Sequence, residues 1–344
     1  MTIDLLPPRA EWYDNYLSGL TKKSKHMPYY LSVHLVALAE LGCNVWQRRK
    51  QRDLEAQSAK RRQAWIDQAK AAAAAAQPGS PSPRVAIVTA CRSVKKGAEA
   101  VKTIEEETGI KGTVSVMALD LSSFESIKAF SVEFKLLGLG LDVLVNNAGL
   151  MDIPFTLTKD GFESQFGVNH LGHYKLTLEL LPLLHRSTQG RIIVLSSAAM
   201  YPSQGIPYST LNVSKKTGYS RLGHYSHSKL ANMLFVKALK RRLDTAGSKV
   251  TVNAVHPGTC RTDIFSGNPV TKVATAVIKP MMRTPQEGAM GSIYLALAPE
   301  LENISGEYFF DQAPRVPSSF ALDEEEQEML WSKSVEFTGI DFML

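Results

Sequence analysis

From Arg84 onward the chain alternates short apolar, β-rich runs with segments of 3.6-residue periodicity, and this alternation limits the fold more than any other feature. The runs at Arg84–Thr89, Gly112–Leu119, Leu141–Asn146, Gly190–Ser196, Lys249–Val255 and Gly306–Phe310 are rich in Val, Ile and Leu without clean alternation. Strands covered on both faces have that composition. The order βαβα predicts an α/β fold with a doubly wound parallel sheet, whose ligand site lies at the carboxyl ends of the strands.

Before Arg84 the pattern changes. Residues 1–76 read as a helical, basic extension: residues 1–83 hold twelve Lys and Arg against seven Asp and Glu, so +5 of the net charge of +6 sits there. Within it, "YYLSVHLVALAELGCNVW" at 29–46 is an apolar run with basic flanks, a candidate membrane anchor or interfacial helix. His34 and Glu40 interrupt the run, which leaves a helix packed on protein as the alternative. "QPGSPSP" at 77–83 reads as a linker, and 84–344 as the folded domain. The near-neutral body gives no electrostatic case for a nucleic-acid partner. Three scattered cysteines favour neither a disulfide framework nor a zinc cluster, and the eight histidines lack metal-ligand spacing.

The chemistry-bearing residues fall at the predicted strand ends. "YSHSK" sets Tyr225 and Lys229 four apart on one helix face, where an ammonium near a phenol favours the phenolate. "RIIVLSS" ends a strand in Ser196 and Ser197, whose hydroxyls can hold a substrate oxygen. "VLVNNAG" ends another at Asn146 and Gly149, where small residues let backbone approach a flat ligand. "FGVNHLGH" puts Asn169 in a helical pattern, and "VHPGTCRTD" follows a strand with Pro257, Gly258 and Thr262. Singly, each has a plain structural explanation. Their joint order on one sheet points to a site.

With those motifs in place, Arg84 to Leu344 resembles the short-chain dehydrogenase/reductase family, whose fold is Rossmann-like. The resemblance implies hydride transfer between a nicotinamide cofactor and an alcohol or carbonyl. Tyr225 would be the general acid/base, Lys229 would lower its pKa and bind the nicotinamide ribose, Ser197 would orient the substrate oxygen and Asn169 would hold a proton-relay water. Asp120 would lie near the adenine, Asn146, Gly149, Pro257 and Gly258 would line the cofactor, and Thr262 would meet the carboxamide. Arg92, in "ACR", matches the residue that favours a 2′-phosphate, so NADP(H) is the expected cofactor. Ser197 and Tyr225 are 28 apart, and "RTPQEGAMGSIYLALAPELENISGEYFF" resembles the tail of the retinol-dehydrogenase-type members. That subgroup implies an apolar, retinoid- or isoprenoid-like alcohol and its aldehyde or ketone, with Val270–Met282 as a flap or a plain surface helix. It also implies a membrane-associated location at the endoplasmic reticulum, with the cytoplasm otherwise; a homo-oligomer is compatible.

One departure is specific. In "RVAIVTACRSVKKG" the first strand abuts "ACR" directly, where the family inserts a TGxxxGxG turn, a helix and a second strand ending in "ACR". The first βα unit is therefore shortened by about two dozen residues. That turn normally gives backbone N–H groups to the cofactor pyrophosphate. A second reading follows from its loss: a catalytically impaired member serving as a membrane-tethered scaffold or lipid-binding protein.

Overall fold

The structure, a computed structural model, describes residues 2–3, 84–211, 218–262, 264 and 282–344. The candidate anchor at 29–46, the extension, the linker and nearly all of the Val270–Met282 segment lie outside the described residues. Among the described residues no helix is long and apolar enough to cross a membrane. The chain divides into two compact units.

The first unit comprises Met1–Leu119 and Val132–Leu139. Strand β1 (Thr2–Ile3) pairs antiparallel with β2 (Arg84–Val88), in which Ala86 and Ile87 are buried. The chain then passes through Thr89–Arg92 into helix α1 (Val94–Thr108). Ser93 ends the strand's run by capping α1: its hydroxyl accepts from Lys96 N at 3.3 Å. "ACR" is thus connection, not strand end, contrary to the sequence reading. Gly109, in the left-handed conformation at φ 71°, terminates α1.

The expected strand Gly112–Leu119 does not form. Only Val116 makes a bridge, and Gly112 at φ 74° starts the segment outside the extended region. A β-rich run becomes a strand only where a neighbour supplies a ladder.

The second unit, Asp120–Ser131 and Gly140–Leu344, carries the parallel sheet. Strands β3 (Val143–Asn146), β4 (Arg191–Leu195), β5 (Thr251–His256) and β6 (Tyr308–Phe310) pair in that order, all parallel. An antiparallel edge strand, β7 (Ala313–Arg315), follows β6. The α/β class and the parallel order agree with the sequence reading; β7 was not foreseen, since Pro314 argues against a strand except at an edge. Helix α2 (Phe124–Leu136) precedes β3. Between β3 and β4 run the short α3 (Ser164–Phe166), a π-turn at Gly167–Gly172, and α4 (His173–His185). The 25-residue α5 (Arg221–Thr245) joins β4 to β5, capped by Ser220, whose hydroxyl accepts from Gly223 N. Helices α5 and α6 (Pro285–Leu297) both pack on β4 and β5. The short α7 (Ser319–Leu322) leads to α8 (Glu324–Thr338), which lies along α5.

Two histidines are sealed into this unit. His170 contacts the rings of Phe166, Tyr174 and Phe235, and its Nε2 lies 3.0 Å from Ser334 Oγ on α8. His173 Nδ1 lies 3.1 Å from the Asn169 carbonyl. Burial pushes both imidazoles down to about 3, so they stay neutral in the folded chain. Unfolding returns them to their ordinary 6.5, where they take up protons. Stability is therefore full above about 6.5 and falls as pH drops toward about 3. At pH 5 the loss is expected to be about 2 kcal/mol per histidine, read as a shift in urea midpoint between pH 7 and pH 5. Equal midpoints at the two pH values would contradict neutral burial.

Candidate active site

The catalytic candidates converge at the carboxyl end of β4. Ser196 and Ser197 follow Leu195, and α5 presents Tyr225 and Lys229 to the same strand end. Lys229, 4% exposed, donates from Nζ to the Leu195 carbonyl at 2.9 Å, and its own carbonyl accepts from Ser196 Oγ at 2.8 Å. Asn232 adds a second donor to the Leu195 carbonyl at 3.0 Å. These bonds fix α5 against β4, one turn from the reacting groups.

Tyr225 is 8% exposed and faces Ser197. Burial raises the phenol above its ordinary pKa, and the Ser197 hydroxyl pulls it the other way. Ser197 is extended at φ −161°, and its Oγ also accepts from Ala199 N at 3.2 Å. The Lys229 ammonium stands 5.6 Å from the centroid of the Tyr225 ring. Burial lowers Lys229 from 10.5 to about 8, so it remains largely protonated at neutral pH.

The π-turn sets Asn169. A π-turn diverts the usual i+4 amide; the His173 N–H bonds the His170 carbonyl, and the His173 ring meets the Asn169 carbonyl instead. The Asn169 side chain is fully buried and fully used. Its Oδ1 accepts from Leu150 N at 2.7 Å, while Nδ2 donates to the Leu150 carbonyl and to Ser228 Oγ, each at 2.9 Å. Ser228 Oγ donates onward to the Tyr225 carbonyl at 2.7 Å. Asn169 therefore ties the turn after β3 to the helix bearing the phenol. Ser228 is the residue that sequence reasoning passed over: it lies inside "YSHSK", but a Tyr–Lys spacing gives no reason to single it out.

Around this centre the cofactor candidates divide. Gly149 sits where a Cβ would lie 3.3 Å from Asn169 Oδ1 and 3.8 Å from Lys229 Nζ. Asn146 is buried, donates from Nδ2 to Thr177 Oγ1 at 2.8 Å, and has no partner for Oδ1 among the described residues. Gly258, at φ 83°, follows Pro257 after β5, and His256 feels the charge of Lys229. Thr262 is exposed, its N–H donating to the Cys260 carbonyl at 2.9 Å. Asp120 is buried, bonded to Ser122 N and Oγ at 2.9 and 2.6 Å and to Lys159 Nζ at 2.9 Å. Burial would raise that carboxyl, but these partners hold it below the usual range. Arg92 is exposed in the first unit, beside α1.

A nicotinamide-ribose group fits the donor set here: a three-proton ammonium with one protein acceptor identified, an orphaned buried amide oxygen, and a glycine with no room to spare. The pyrophosphate end does not fit the family pattern. Thr89–Ser93 holds no glycine, and the next, Gly97, is buried inside α1.

A family model described as short chain dehydrogenase matches residues 82–210. Retinol dehydrogenase 14 of Mus musculus is 40% identical over 267 residues, covering 74% of this chain and 78% of that protein. The chain belongs to the short-chain dehydrogenase family. It is accordingly an oxidoreductase of Rossmann-like fold. Polyprenol dehydrogenase of Homo sapiens is 36% identical over 263 residues, covering 74% of the chain and 78% of that protein. Among solved structures, an uncharacterised protein from Mycobacterium paratuberculosis matches with TM-score 0.58 and 34% identity, covering 76% of this chain and 85% of that one.

Proposed function

We propose that this short-chain dehydrogenase interconverts an apolar, retinoid- or isoprenoid-like alcohol and its carbonyl form, using NADP(H). The observation that carries the reading is the approach of the Tyr225 phenol and the Ser197 hydroxyl beside the Lys229 ammonium. Retinol dehydrogenases and polyprenol dehydrogenase, at 36–41% identity, supply the substrate class. Arg92, by its match to the family's basic residue, supports NADP(H) over NAD(H).

When bound, the nicotinamide supplies or accepts the hydride. The chain's own residues handle the proton and the geometry. Ser197 Oγ donates to the substrate oxygen, and Tyr225 Oη gives that oxygen a proton in reduction or takes one in oxidation. Lys229 would hold the ribose and offset the charge left on the phenol. Asn169, through Leu150 and Ser228, keeps the glycine turn and the phenol's helix in register. Asn146, Gly149, Pro257, Gly258 and Thr262 would line the nicotinamide half, and Asp120 the adenine. The 29–46 run would anchor the chain to a membrane surface, consistent with endoplasmic reticulum substrates. The assembled proton-transfer centre argues for the enzyme over the scaffold.

The test is turnover of all-trans-retinal and a polyprenal by purified protein with NADPH or NADH. Reduction of at least one aldehyde, faster with NADPH, is expected. A rate no better than buffer for both would refute the reading.

A further inference from the structure

Asp311 and Gln312 form the two-residue turn between β6 and β7, and both are left-handed, at φ 53° and 60°. Such a turn favours Asn-Gly or Asp-Gly, because non-glycine residues with positive φ are strained. Something must hold it. Arg283 does: its Nη2 lies 2.5 Å from Asp311 Oδ1, and its guanidinium lies 5.0 Å from the centroid of the Phe310 ring. Phe310 in turn stacks on His256 at 5.0 Å, with rings 25° apart.

The same arginine covers the turn after β5. A Cβ on Gly258 would lie 2.7 Å from Arg283 Cδ and 2.8 Å from Nε, so the side chain lies directly on the glycine's face. Gly258 N donates weakly to His256 Nδ1 at 3.4 Å. Arg283 N donates to the Thr259 carbonyl, and Arg261 N to the Arg283 carbonyl, each at 2.9 Å. One residue thus grips Gly258 with its side chain, Thr259 and Arg261 with its backbone, and a strained hairpin with its charge.

We propose that Arg283, pinned by Asp311, is a positioning residue that holds the Pro257–Thr259 turn in the shape that receives the nicotinamide. The inference rests on the cofactor reading above; the arginine itself touches no reacting atom. The sequence places Arg283 at the head of the stretch that resembles the retinol-dehydrogenase-type tail but does not reveal its partners, which lie 22 residues before it at Arg261 and 28 beyond it at Asp311.

Two variants test it. Arg283→Met keeps the aliphatic length without charge, and Asp311→Asn keeps a residue that tolerates the left-handed turn. Each is expected to weaken NADPH binding about threefold to tenfold, with kcat at saturating NADPH within about twofold of wild type. The double variant is expected to be no weaker than the worse single one, because both remove one contact. Hydrogen exchange of the peptide spanning 256–262 should accelerate in all three without cofactor present. Exchange and NADPH affinity that match wild type in both single variants overturn the proposal, as do additive effects. A wild-type chain that binds no NADPH overturns the cofactor reading instead, and the exchange result still decides whether Arg283 holds the turn.

Discussion

Tyr225→Phe is expected to reduce turnover by about a thousandfold while leaving NADPH affinity within about twofold. The change deletes one oxygen and keeps the ring. That ring is 8% exposed, so the packing of α5 on β4 persists and folding is spared. What disappears is the phenolic proton that faces Ser197. Ser197 is a poor replacement: an aliphatic hydroxyl is far less acidic than a phenol, so it can hydrogen-bond the substrate oxygen but gives up its proton much less readily. Lys229 is tethered by its bond to the Leu195 carbonyl, and its other protons serve the ribose in the proposed reaction. Steady-state kinetics with an apolar aldehyde, together with an NADPH fluorescence titration, separates the two quantities. Residual activity within about tenfold of wild type would remove Tyr225 from the proton transfer.

Restoring the shortened βα unit is expected to have an effect of similar size on a different quantity. Insertion of a TGxxxGxG turn and its helix between Thr89 and Ala90 should tighten NADPH binding by about a hundredfold to ten-thousandfold. Charge-assisted hydrogen bonds from backbone N–H to pyrophosphate contribute about 1.5–3 kcal/mol each, so the absence of two costs about 3–6 kcal/mol. The Thr89–Ser93 connection offers little in return, because the Ser93 hydroxyl is already committed to capping α1. The insertion point is favourable, with Thr89 buried and Ala90 exposed, so added chain leaves at the surface. Titration of both proteins with NADPH reads the change directly. An unchanged dissociation constant would mean that the pyrophosphate is held by residues other than that turn.

The sequence made the parallel sheet readable because strands buried on both faces must be mostly apolar, and Val143–Asn146, Arg191–Leu195 and Thr251–His256 carry runs of Val, Ile, Leu and Ala with polar residues mainly at their ends. Tyr225, Lys229 and Ser197 were readable because a four-residue helical spacing and a strand end are local facts. Elements that depend on a distant partner were not. Gly112–Leu119 has strand composition but makes only one bridge, and Ala313–Arg315 pairs despite its proline because it occupies an edge. The π-turn at Gly167–Gly172 has no periodicity of its own; it continues the short α3, which Glu163 caps by accepting from Gln165 N and Phe166 N, and its own residues are all buried. Ser228 and Arg283 gain their roles from atoms 59 residues and 28 residues away. No window of sequence contains those pairs.

The central claim is that this chain itself carries out reduction at the Tyr225 centre, and isotope transfer tests it most directly. Purified protein is incubated with NADPH deuterated at the transferring position and an apolar aldehyde, and the alcohol formed is analysed by mass spectrometry. One deuterium at the carbinol carbon, formed by wild type and lost in Tyr225→Phe, is the expected result. Alcohol formed equally by the two proteins, or no deuterated alcohol from wild type, would contradict the account.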